Sequence, residues 1–250
     1  MKLKNKVAIV TGGARDLGRE VSLRLAKEGA KVVINYFDNI EDAEATKRLI
    51  MEIGGQAIFV QGDMTKEEDV KKLFATARET YGDHLDVLVN VVGGLVGRKK
   101  ITEQDLDWYN FLMDVNMKSC YLCTREAVPM MGKGASIINF SSQAARDGGG
   151  AGASLYATSK GAVMTFTRSM AKELGPDGIR VNAVAPGMIA TSFHDKFSSP
   201  EGRKNVAAGT PLRREGIAYE IADLVAYLAS DESSFITGTN IDINGGTYYS

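Results

Sequence analysis

Short apolar runs, rich in β-branched residues, alternate with longer helical patterns along almost the whole of this 250-residue chain. The runs lack polar alternation, as is typical of strands buried on both faces of a sheet. They occupy residues 7–10, 31–34, 57–60, 87–89, 136–140, 179–184 and 241–243. Helices are predicted over about 18–27, 41–53 and 66–81. Strand–helix alternation with short connections implies right-handed crossovers. The sequence therefore predicts an α/β fold, a doubly wound parallel sheet with helices on both faces.

No linker, low-complexity tract or repeat divides the chain, so residues 1–250 are predicted to form a single domain. Basic and acidic residues number 30 and 31, and this balance does not suggest a nucleic-acid or membrane-surface partner. No apolar run approaches the ~18 residues that span a bilayer. The first apolar run ends at Thr11, too soon for the core of a signal peptide. We therefore expect a cytoplasmic protein.

Cys120 and Cys123 form a C-x-x-C spacing inside an apparently helical stretch. A redox motif of this spacing usually opens a helix, whereas these residues lie in mid-helix. We expect two packed core thiols, because free cysteine behaves as a small hydrophobe. With two histidines and no clustered ligands, no metal site is expected.

Tyr156 and Lys160 are four residues apart, and two serines, Ser141 and Ser142, precede them. On a helix, the phenol and the ammonium would project from one face, one turn apart. A phenol titrates near pH ~10 in water, and an adjacent ammonium lowers that pKa. A serine hydroxyl can hold a substrate oxygen, so the group suits proton transfer in a carbonyl–alcohol interconversion. The alternative is an ordinary exposed helical pair, which is common.

The first strand runs directly into residues 11–18, Thr-Gly-Gly-Ala-Arg-Asp-Leu-Gly, and then into a helix. Glycines in such a turn let the backbone approach a pyrophosphate, which the helix N-terminus stabilises with unpaired N–H groups and its dipole. This placement predicts a dinucleotide site, and the alternative is a tight turn without a ligand.

Together, this turn, the Tyr-x-x-x-Lys pair and several strand-end motifs resemble the short-chain dehydrogenase/reductase family in its compact single-domain form, over residues 7–246. The resemblance implies a Rossmann fold and hydride transfer between a nicotinamide and a substrate carbon. It implies a catalytic tetrad of Asn116, Ser142, Tyr156 and Lys160.

Each member of the tetrad has a role that the resemblance implies. Tyr156 would be the general acid in reduction and the general base in oxidation. Ser142, rather than Ser141, would polarise the carbonyl. Lys160 would lower the pKa of the tyrosine and bind the nicotinamide ribose, and the backbone of Asn116 would hold a water beside the lysine.

The resemblance also implies a set of cofactor contacts. Besides Tyr156 and Lys160, they are Thr11, Gly12, Arg15, Asp16, Leu17, Gly18, Tyr36, Asp63, Met64, Asn90, Gly93, Pro186, Gly187, Ile189 and Thr191. Asp63 would hydrogen-bond the adenine amine, or else cap a helix. Val91 and Val92 depart from the family motif Asn-Asn-Ala-Gly, so only Asn90 and Gly93 carry over from it.

Asp16 stands where the family pattern Thr-Gly-x-x-x-Gly-x-Gly has its middle glycine. A carboxylate ~4 Å from a phosphate charge costs roughly 1 kcal/mol even in bulk water. Alternatively, Asp16 turns away and caps the following helix. We expect modestly weakened cofactor binding.

The choice between the two nicotinamide cofactors stays open. An acid at the end of the second strand would bind the adenosine ribose and repel a 2′-phosphate. Tyr36 occupies that position, with Asp38 two residues later. Arg15 could pair with a 2′-phosphate, and Asp16 beside it acts in the opposite direction. NADP(H) is favoured, and NAD(H) is the alternative.

The resemblance implies a substrate lid at about 190–214, which includes Phe193, His194 and Phe197. Predicted substrate contacts are Gln143, Arg146 and His194. With Arg98-Lys99-Lys100, these basic residues would suit a small polar, carboxylate-bearing or sugar-like carbonyl substrate. Alternatively, the charges are solvated or paired with neighbouring acids.

Two other functions remain open. One is a 3-oxoacyl-[acyl-carrier-protein] reductase, since basic residues at the rim could meet an acidic carrier. The other is a non-catalytic dinucleotide sensor; such proteins usually lose the tyrosine or the lysine that this chain keeps. The terminal segment 240–246 resembles a family strand that commonly packs at a subunit interface, which implies a homotetramer.

Overall fold

The computed structural model describes residues 1–191 and 200–249 of the chain. Within them lie β1 (Val7–Thr11), β2 (Lys31–Tyr36), β3 (Gln56–Gln61), β4 (Val87–Asn90), β5 (Ser136–Phe140), β6 (Arg180–Pro186), β7 (Ile189–Ala190), β8 (Gly216–Ile217) and β9 (Asn240–Ile243). Seven of these strands form one sheet in the order β3-β2-β1-β4-β5-β6-β9, and β7 pairs with β8. Every pairing in the seven-stranded sheet is parallel. The predicted doubly wound α/β fold is confirmed.

Helices cover both faces of the sheet. They are α1 (Asp16–Lys27), α2 (Ile40–Glu52), α3 (Glu67–Tyr81), α4 (Leu106–Met113), α5 (Ser119–Ala127), α6 (Ala144–Asp147), α7 (Ser154–Leu174), α8 (Pro200–Gly209) and α9 (Ala218–Ala229). A π-helical turn, Asp114–Lys118, joins α4 to α5. The predicted strands and helices agree with the observed ones to within two residues at each end.

Alternate residues of each central strand enter different cores, because successive side chains of a strand point to opposite faces. On β1, Ala8 and Val10 pack in the cluster that contains α1 and α9 residues, whereas Val7 and Ile9 pack in the cluster of α3, α5 and α7. Burying one such aliphatic side chain contributes roughly 1.5–3 kcal/mol. The central strands β1, β4 and β5 are buried along their whole length, which explains why they are continuous apolar runs.

The strand order reverses between β1 and β4, and this reversal fixes where a ligand can bind. Connections leave these two strands in opposite directions, so a crevice opens at their carboxyl ends. Thr11 is in register with Asn90, so the turn after β1 and the loop after β4 begin side by side.

Three further expectations concern thiols, membranes and metals. Cys120 and Cys123 are buried free thiols on α5, as predicted. Burial raises the pKa of Cys120 to about 12, and it also raises the pKa of Cys123.

In the described ranges, no helix has the length and apolar character to cross a membrane. The same ranges contain no cluster of three or more His, Cys, Asp or Glu that could hold a metal.

Candidate active site

A cleft of about 910 Å³ opens at the carboxyl edge of the sheet. Most of the predicted site residues line it: Gly12, Arg15, Asp16, Leu17, Gly18, Tyr36, Asp63, Met64, Gly93, Ser142, Tyr156, Lys160, Pro186, Gly187, Ile189 and Thr191. Those that do not line it are Thr11, Asn90, Asn116, Gln143 and Arg146. His194, with Phe193 and Phe197, lies outside the described residues.

The glycine turn after β1 has the close packing that a dinucleotide phosphate site requires. Gly12 has a φ of +61°, which favours glycine. A Cβ at Gly18 would overlap the carbonyl oxygen of Gly12 and lie 2.9 Å from the Cα of Gly13. The first N–H groups of α1 lack intrahelical partners and lie directly after this turn. The turn therefore fits a phosphate group held by backbone donors.

Asp16 is the first residue of α1, and the helix N-cap is Arg15. The side chain of Arg15 makes no capping hydrogen bond, and Asp16 is the acidic residue of the first turn. Its φ is +48°, in the left-handed region that favours glycine. Asp16 is among the residues that line the cleft.

Thr11 and Asn35 hold the strand ends together beneath the cleft. The Thr11 hydroxyl oxygen accepts from the backbone N–H groups of Val91 (3.1 Å) and Val92 (3.3 Å). The Asn35 side chain accepts from Gly12 N (3.1 Å) and donates to Gly62 O (2.9 Å). Sequence reasoning missed Asn35, although a polar residue inside the apolar run of β2 was a usable signal.

Asn90 lies below the cleft, in a buried polar network. Its side-chain N–H group donates to Asn139 Oδ1 (2.9 Å) and Thr124 Oγ1 (3.3 Å). Asn139 in turn donates to Thr167 Oγ1 (2.9 Å). Asn90 and Thr11 thus support the site from beneath, whereas the sequence predicted them as cofactor contacts.

Tyr156, Lys160 and Ser142 face the same cleft, and α7 carries the first two. Ser142 Oγ accepts from Ala144 N (3.1 Å), and a hydrogen bond from this serine acts on the phenol of Tyr156. Ser141 Oγ instead donates to the backbone oxygen of Lys160 at 3.1 Å. The geometry therefore favours Ser142 as the hydroxyl that serves Tyr156.

Burial dominates the electrostatics of the Tyr–Lys pair. Burial raises the pKa of Tyr156, and the hydrogen bond with Ser142 partly opposes this. Burial also lowers the pKa of Lys160 to about 8, while its Nζ donates to Phe140 O at 2.8 Å. The net pKa of Tyr156 is therefore raised rather than lowered, because burial outweighs the opposing hydrogen bond with Ser142.

Asn116 positions the loop after β4 from within the π-helical turn. Its side chain accepts from Gly94 N (2.8 Å) and donates to Gly94 O (3.0 Å). A Cβ at Gly93 would lie 2.6 Å from Lys160 Nζ and 2.7 Å from Asn116 Oδ1. Glycine at position 93 thus lets the amine and the amide pack against the same piece of backbone.

Two predicted substrate contacts are engaged elsewhere. The guanidinium of Arg146 pairs with Asp242 at 3.3 Å and donates to Asn240 O at 3.0 Å, tying α6 to β9. The Gln143 amide donates to Asp147 Oδ2 at 2.8 Å. Neither residue lines the cleft in this structure, and the acids of α6 and β9 take their side-chain donors.

Comparisons with known proteins show which family this chain resembles. Residues 12–248 match the family described as enoyl-(acyl carrier protein) reductase. The uncharacterized oxidoreductase YgfF of Escherichia coli (strain K12) is 38% identical, over 96% of this chain and 99% of that protein. A 3-oxoacyl-[acyl-carrier-protein] reductase FabG of Staphylococcus aureus (strain Mu50 / ATCC 700699) is 36% identical, over 97% and 98%.

Solved structures of similar proteins superpose on nearly the whole of this chain. A short-chain dehydrogenase/reductase from Serratia marcescens BCRC 10948 superposes with a TM-score of 0.93 at 33% identity, covering 99% of each chain. A short-chain dehydrogenase from Burkholderia cenocepacia J2315, in complex with NADP, gives 0.92 at 32% identity, again with 99% of each chain covered. With its parallel sheet and its glycine-lined cleft, this chain belongs to the short-chain dehydrogenase/reductase family and is an NAD(P)-dependent oxidoreductase.

Proposed function

We propose that this protein interconverts a carbonyl and a secondary alcohol on a small polar substrate, with NADP(H) as the preferred cofactor. One observation carries the proposal: Ser142, Tyr156 and Lys160 line the same cleft as the glycine turn after β1. The nicotinamide supplies hydride transfer when bound. The backbone of residues 12–18 would hold its phosphates, and the segment 186–191 would orient its carboxamide.

In this proposal the chain's own residues hold the substrate oxygen and move one proton. In reduction, the Tyr156 phenol donates its proton to that oxygen, while the Ser142 hydroxyl holds the oxygen in place. The raised pKa of Tyr156 keeps the phenol protonated at neutral pH, which suits an acid in reduction. Lys160, buried beside it, supplies positive charge that stabilises the phenolate after transfer.

Tyr156→Phe tests the proton-transfer role, because it removes the hydroxyl and keeps the ring. We expect turnover to fall by roughly 10²–10⁴-fold, the usual contribution of a general acid. Binding of NADPH, followed by fluorescence, should stay unchanged. Tyr219→Phe is the matched control, since Tyr219 is exposed on α9 and does not line the cleft. Turnover retained in Tyr156→Phe would refute the assignment.

A broad carbonyl panel separates this enzyme from a non-catalytic dinucleotide sensor. The sensor predicts tight NADPH binding without turnover of any carbonyl. The chain keeps both Tyr156 and Lys160 in the cleft, which supports the enzyme.

The preference for NADP(H) has support on the adenosine side of the cleft. Arg15 is exposed and lines the cleft, and within the described residues it forms no ion pair. Tyr36 ends β2 where an acid would repel a 2′-phosphate, although Asp38 also lines the cleft. One structural relative was solved with NADP and another, from a metagenomic library, with NADPH. Michaelis constants for both cofactors test the preference.

A second candidate is a 3-oxoacyl-[acyl-carrier-protein] reductase. A 36% identical relative carries that name, and Arg98, Lys99 and Lys100 provide basic charge at the rim for an acidic carrier. Turnover of acetoacetyl thioesters well above that of keto-uronates would favour this candidate; the opposite ranking would favour a small free substrate.

We also propose that the protein forms a homotetramer. Large apolar side chains are exposed on α4 and α5, at Leu106, Tyr109 and Tyr121, and Phe235 is fully exposed shortly before β9. Contiguous exposed apolar patches mark interaction surfaces, and the terminal segment 240–246 resembles a family strand that commonly packs at a subunit interface. Sedimentation equilibrium tests the assembly.

A further inference from the structure

The glycine-rich segment 148–152 and the loop after β4 pack against each other along one wall of the cleft. Arg98 Nη1 donates to Ala151 O at 3.0 Å, and Lys99 N donates to Gly152 O at 3.2 Å. The Gln104 amide donates to Ser154 Oγ at 3.0 Å. Because Ser154 begins α7, this wall adjoins the helix that carries the proposed proton donor.

The glycines of this segment make room for one arginine. A Cβ at Gly150 would lie 3.1 Å from Arg98 Nη1, and a Cβ at Gly152 would lie 3.0 Å from Arg98 Cβ. Gly152 also has a φ of +77°, which other residues rarely adopt. The close approach of Arg98 thus accounts for the glycines at positions 150 and 152.

A strained turn at Val96 precedes Arg98 and Lys99, whose side chains have different surroundings. Val96 has a φ of +60°, and Gly97 N donates to Leu95 O at 2.6 Å, which makes a γ-turn of the rare kind. Lys99 Nζ stacks 4.5 Å from the centre of the Trp108 ring, whereas Arg98 lines the cleft. Strain of this kind in a β-branched residue persists where surrounding contacts hold it, often at a functional site.

Arg98 is the cation available on this side of the cleft. The cleft-lining cations of the described chain are Arg15, Arg98 and Lys160. Arg15 belongs to the cofactor turn, and Lys160 donates to Phe140 O. Arg98 donates to a single backbone oxygen and forms no ion pair within the described ranges. The nearby acid Asp114 is already paired, at 2.9 Å, with Lys118.

We propose that Arg98 recognises a carboxylate on the substrate, and that the substrates of this protein are oxo acids and the corresponding hydroxy acids. This inference rests on the proposed carbonyl–alcohol interconversion. The remaining N–H groups of one guanidinium match the two oxygens of a carboxylate. Phosphate groups commonly take a helix N-terminus or several cations. Of the basic residues that the sequence predicted to suit a carboxylate-bearing substrate, Arg98 is the one that lines the cleft.

Steady-state kinetics with paired substrates tests the role of Arg98. A series of straight-chain oxo acids around levulinate, and their methyl esters, would be reduced with saturating NADPH. In the wild type we expect kcat/KM to favour the acid over its ester at the best chain length. In Arg98→Gln, we expect the acid's kcat/KM to fall roughly 10- to 100-fold, mainly through KM, as for loss of a charge-assisted hydrogen bond. The ester should change less than about threefold.

Two control variants remove a nearby positive charge without touching the cleft. Lys100→Gln changes an exposed lysine in the same loop, and Arg146→Gln changes the paired arginine of α6. We expect both to keep the wild-type ratio of acid to ester. The proposal is overturned if the wild type shows no acid preference, if Arg98→Gln weakens acid and ester equally, or if Lys100→Gln matches Arg98→Gln.

Calorimetric titration of levulinate into the enzyme with NADP⁺ separates this inference from the proposed function. Binding that Arg98→Gln weakens, in an enzyme that reduces no carbonyl, would retain the inference and reject the proposed reaction. Turnover of neutral carbonyls, without carboxylate binding or any preference for the acid, would retain the reaction and overturn the role of Arg98.

Discussion

The two sides of the cleft use the same sheet edge in different ways. The cofactor side, after β1, is shaped by backbone: Gly12 has a positive φ, and Gly18 packs directly on the Gly12 carbonyl. The substrate side, after β4 and β5, is shaped by side chains whose partners are distant in sequence. Arg98 contacts Ala151, and Arg146 contacts Asp242. Backbone sites depend on local sequence, whereas side-chain sites depend on which distant residues the fold brings near.

Among the substitutions that test this contrast, we expect Gly18→Ala to change stability and cofactor affinity most, because it alters the backbone side directly. A Cβ there overlaps the Gly12 carbonyl, so the turn must shift. We expect the free energy of unfolding to fall by about 1–3 kcal/mol, as in overpacked sites. NADPH affinity should fall at least roughly 10-fold, because the phosphate-binding N–H groups move with the turn. Urea denaturation and fluorescence titration measure the two quantities.

Gly161→Ala is the matched control for that substitution. Gly161 lies inside α7, and a Cβ there would meet no atom within 4 Å. Alanine favours a helix interior over glycine by up to about 1 kcal/mol, so this variant should be more stable than the wild type. A Gly18→Ala protein with wild-type NADPH affinity would show that the turn tolerates side chains, and the contrast between the two sides would disappear.

The same contrast explains what the sequence could and could not predict. The strands and the glycine turn could be predicted, because continuous apolar runs and a Thr-Gly pattern are local features of the sequence. Ser142 was separable from Ser141 by resemblance, and the structure gives the reason in the bond from Ser141 to the backbone of Lys160. The ion pair of Arg146 could not be predicted, because nothing near this residue in the sequence indicates that Asp242, almost a hundred residues later, lies beside it.

Burial is equally hard to predict from sequence. The spacing of Tyr156 and Lys160 predicted a lowered tyrosine pKa, yet the pKa is raised. The spacing fixes which residues are neighbours on α7, but the loops that enclose the pair determine how much water reaches it. Asn139 and Thr167, which support Asn90 from β5 and α7, were missed because their pairing exists only in the folded sheet.

A smaller effect is expected on the substrate side, where the titration of Lys160 should make the free energy of unfolding depend on pH. The pKa of Lys160 is about 8 in the folded protein, below the ~10.4 of an unfolded lysine. Between these values the unfolded chain holds a proton that the folded protein has lost, so the free energy of unfolding rises with pH. The rise from pH 8 to 9 should be up to about 1 kcal/mol. Below pH 8 both states are protonated, and this contribution is flat.

Lys160→Met should remove that rise, since methionine does not titrate. Lys172→Met is the control, because Lys172 is exposed on the same helix and should leave the pH profile unchanged. Urea denaturation curves between pH 7 and 9 measure the difference. Equal slopes in the wild type and in Lys160→Met would mean that burial does not depress the lysine, and the electrostatic account of this side would be wrong.

The smallest effect is expected at Asp16, where a charged side chain stands in the glycine turn and should weaken NADPH binding slightly. Asp16→Gly removes a carboxylate from the cleft lining and suits the φ of +48°. The electrostatic relief of about 1 kcal/mol corresponds to roughly fivefold tighter NADPH binding. Fluorescence titration measures the dissociation constant, and an affinity that is unchanged or weaker in Asp16→Gly would contradict the prediction.

Asp16→Asn then decides which property of the residue matters, because asparagine also tolerates a positive φ but carries no charge. If Asp16→Asn tightens NADPH binding as much as Asp16→Gly does, the charge alone opposes the cofactor. A gain confined to Asp16→Gly would mean that the turn needs glycine's backbone freedom at position 16, as it needs a missing Cβ at Gly18. We expect asparagine to account for most of the gain, because α1 already begins at position 16 with a positive φ, which asparagine tolerates. The backbone would then shape the cofactor side, with side-chain charge adjusting its affinity.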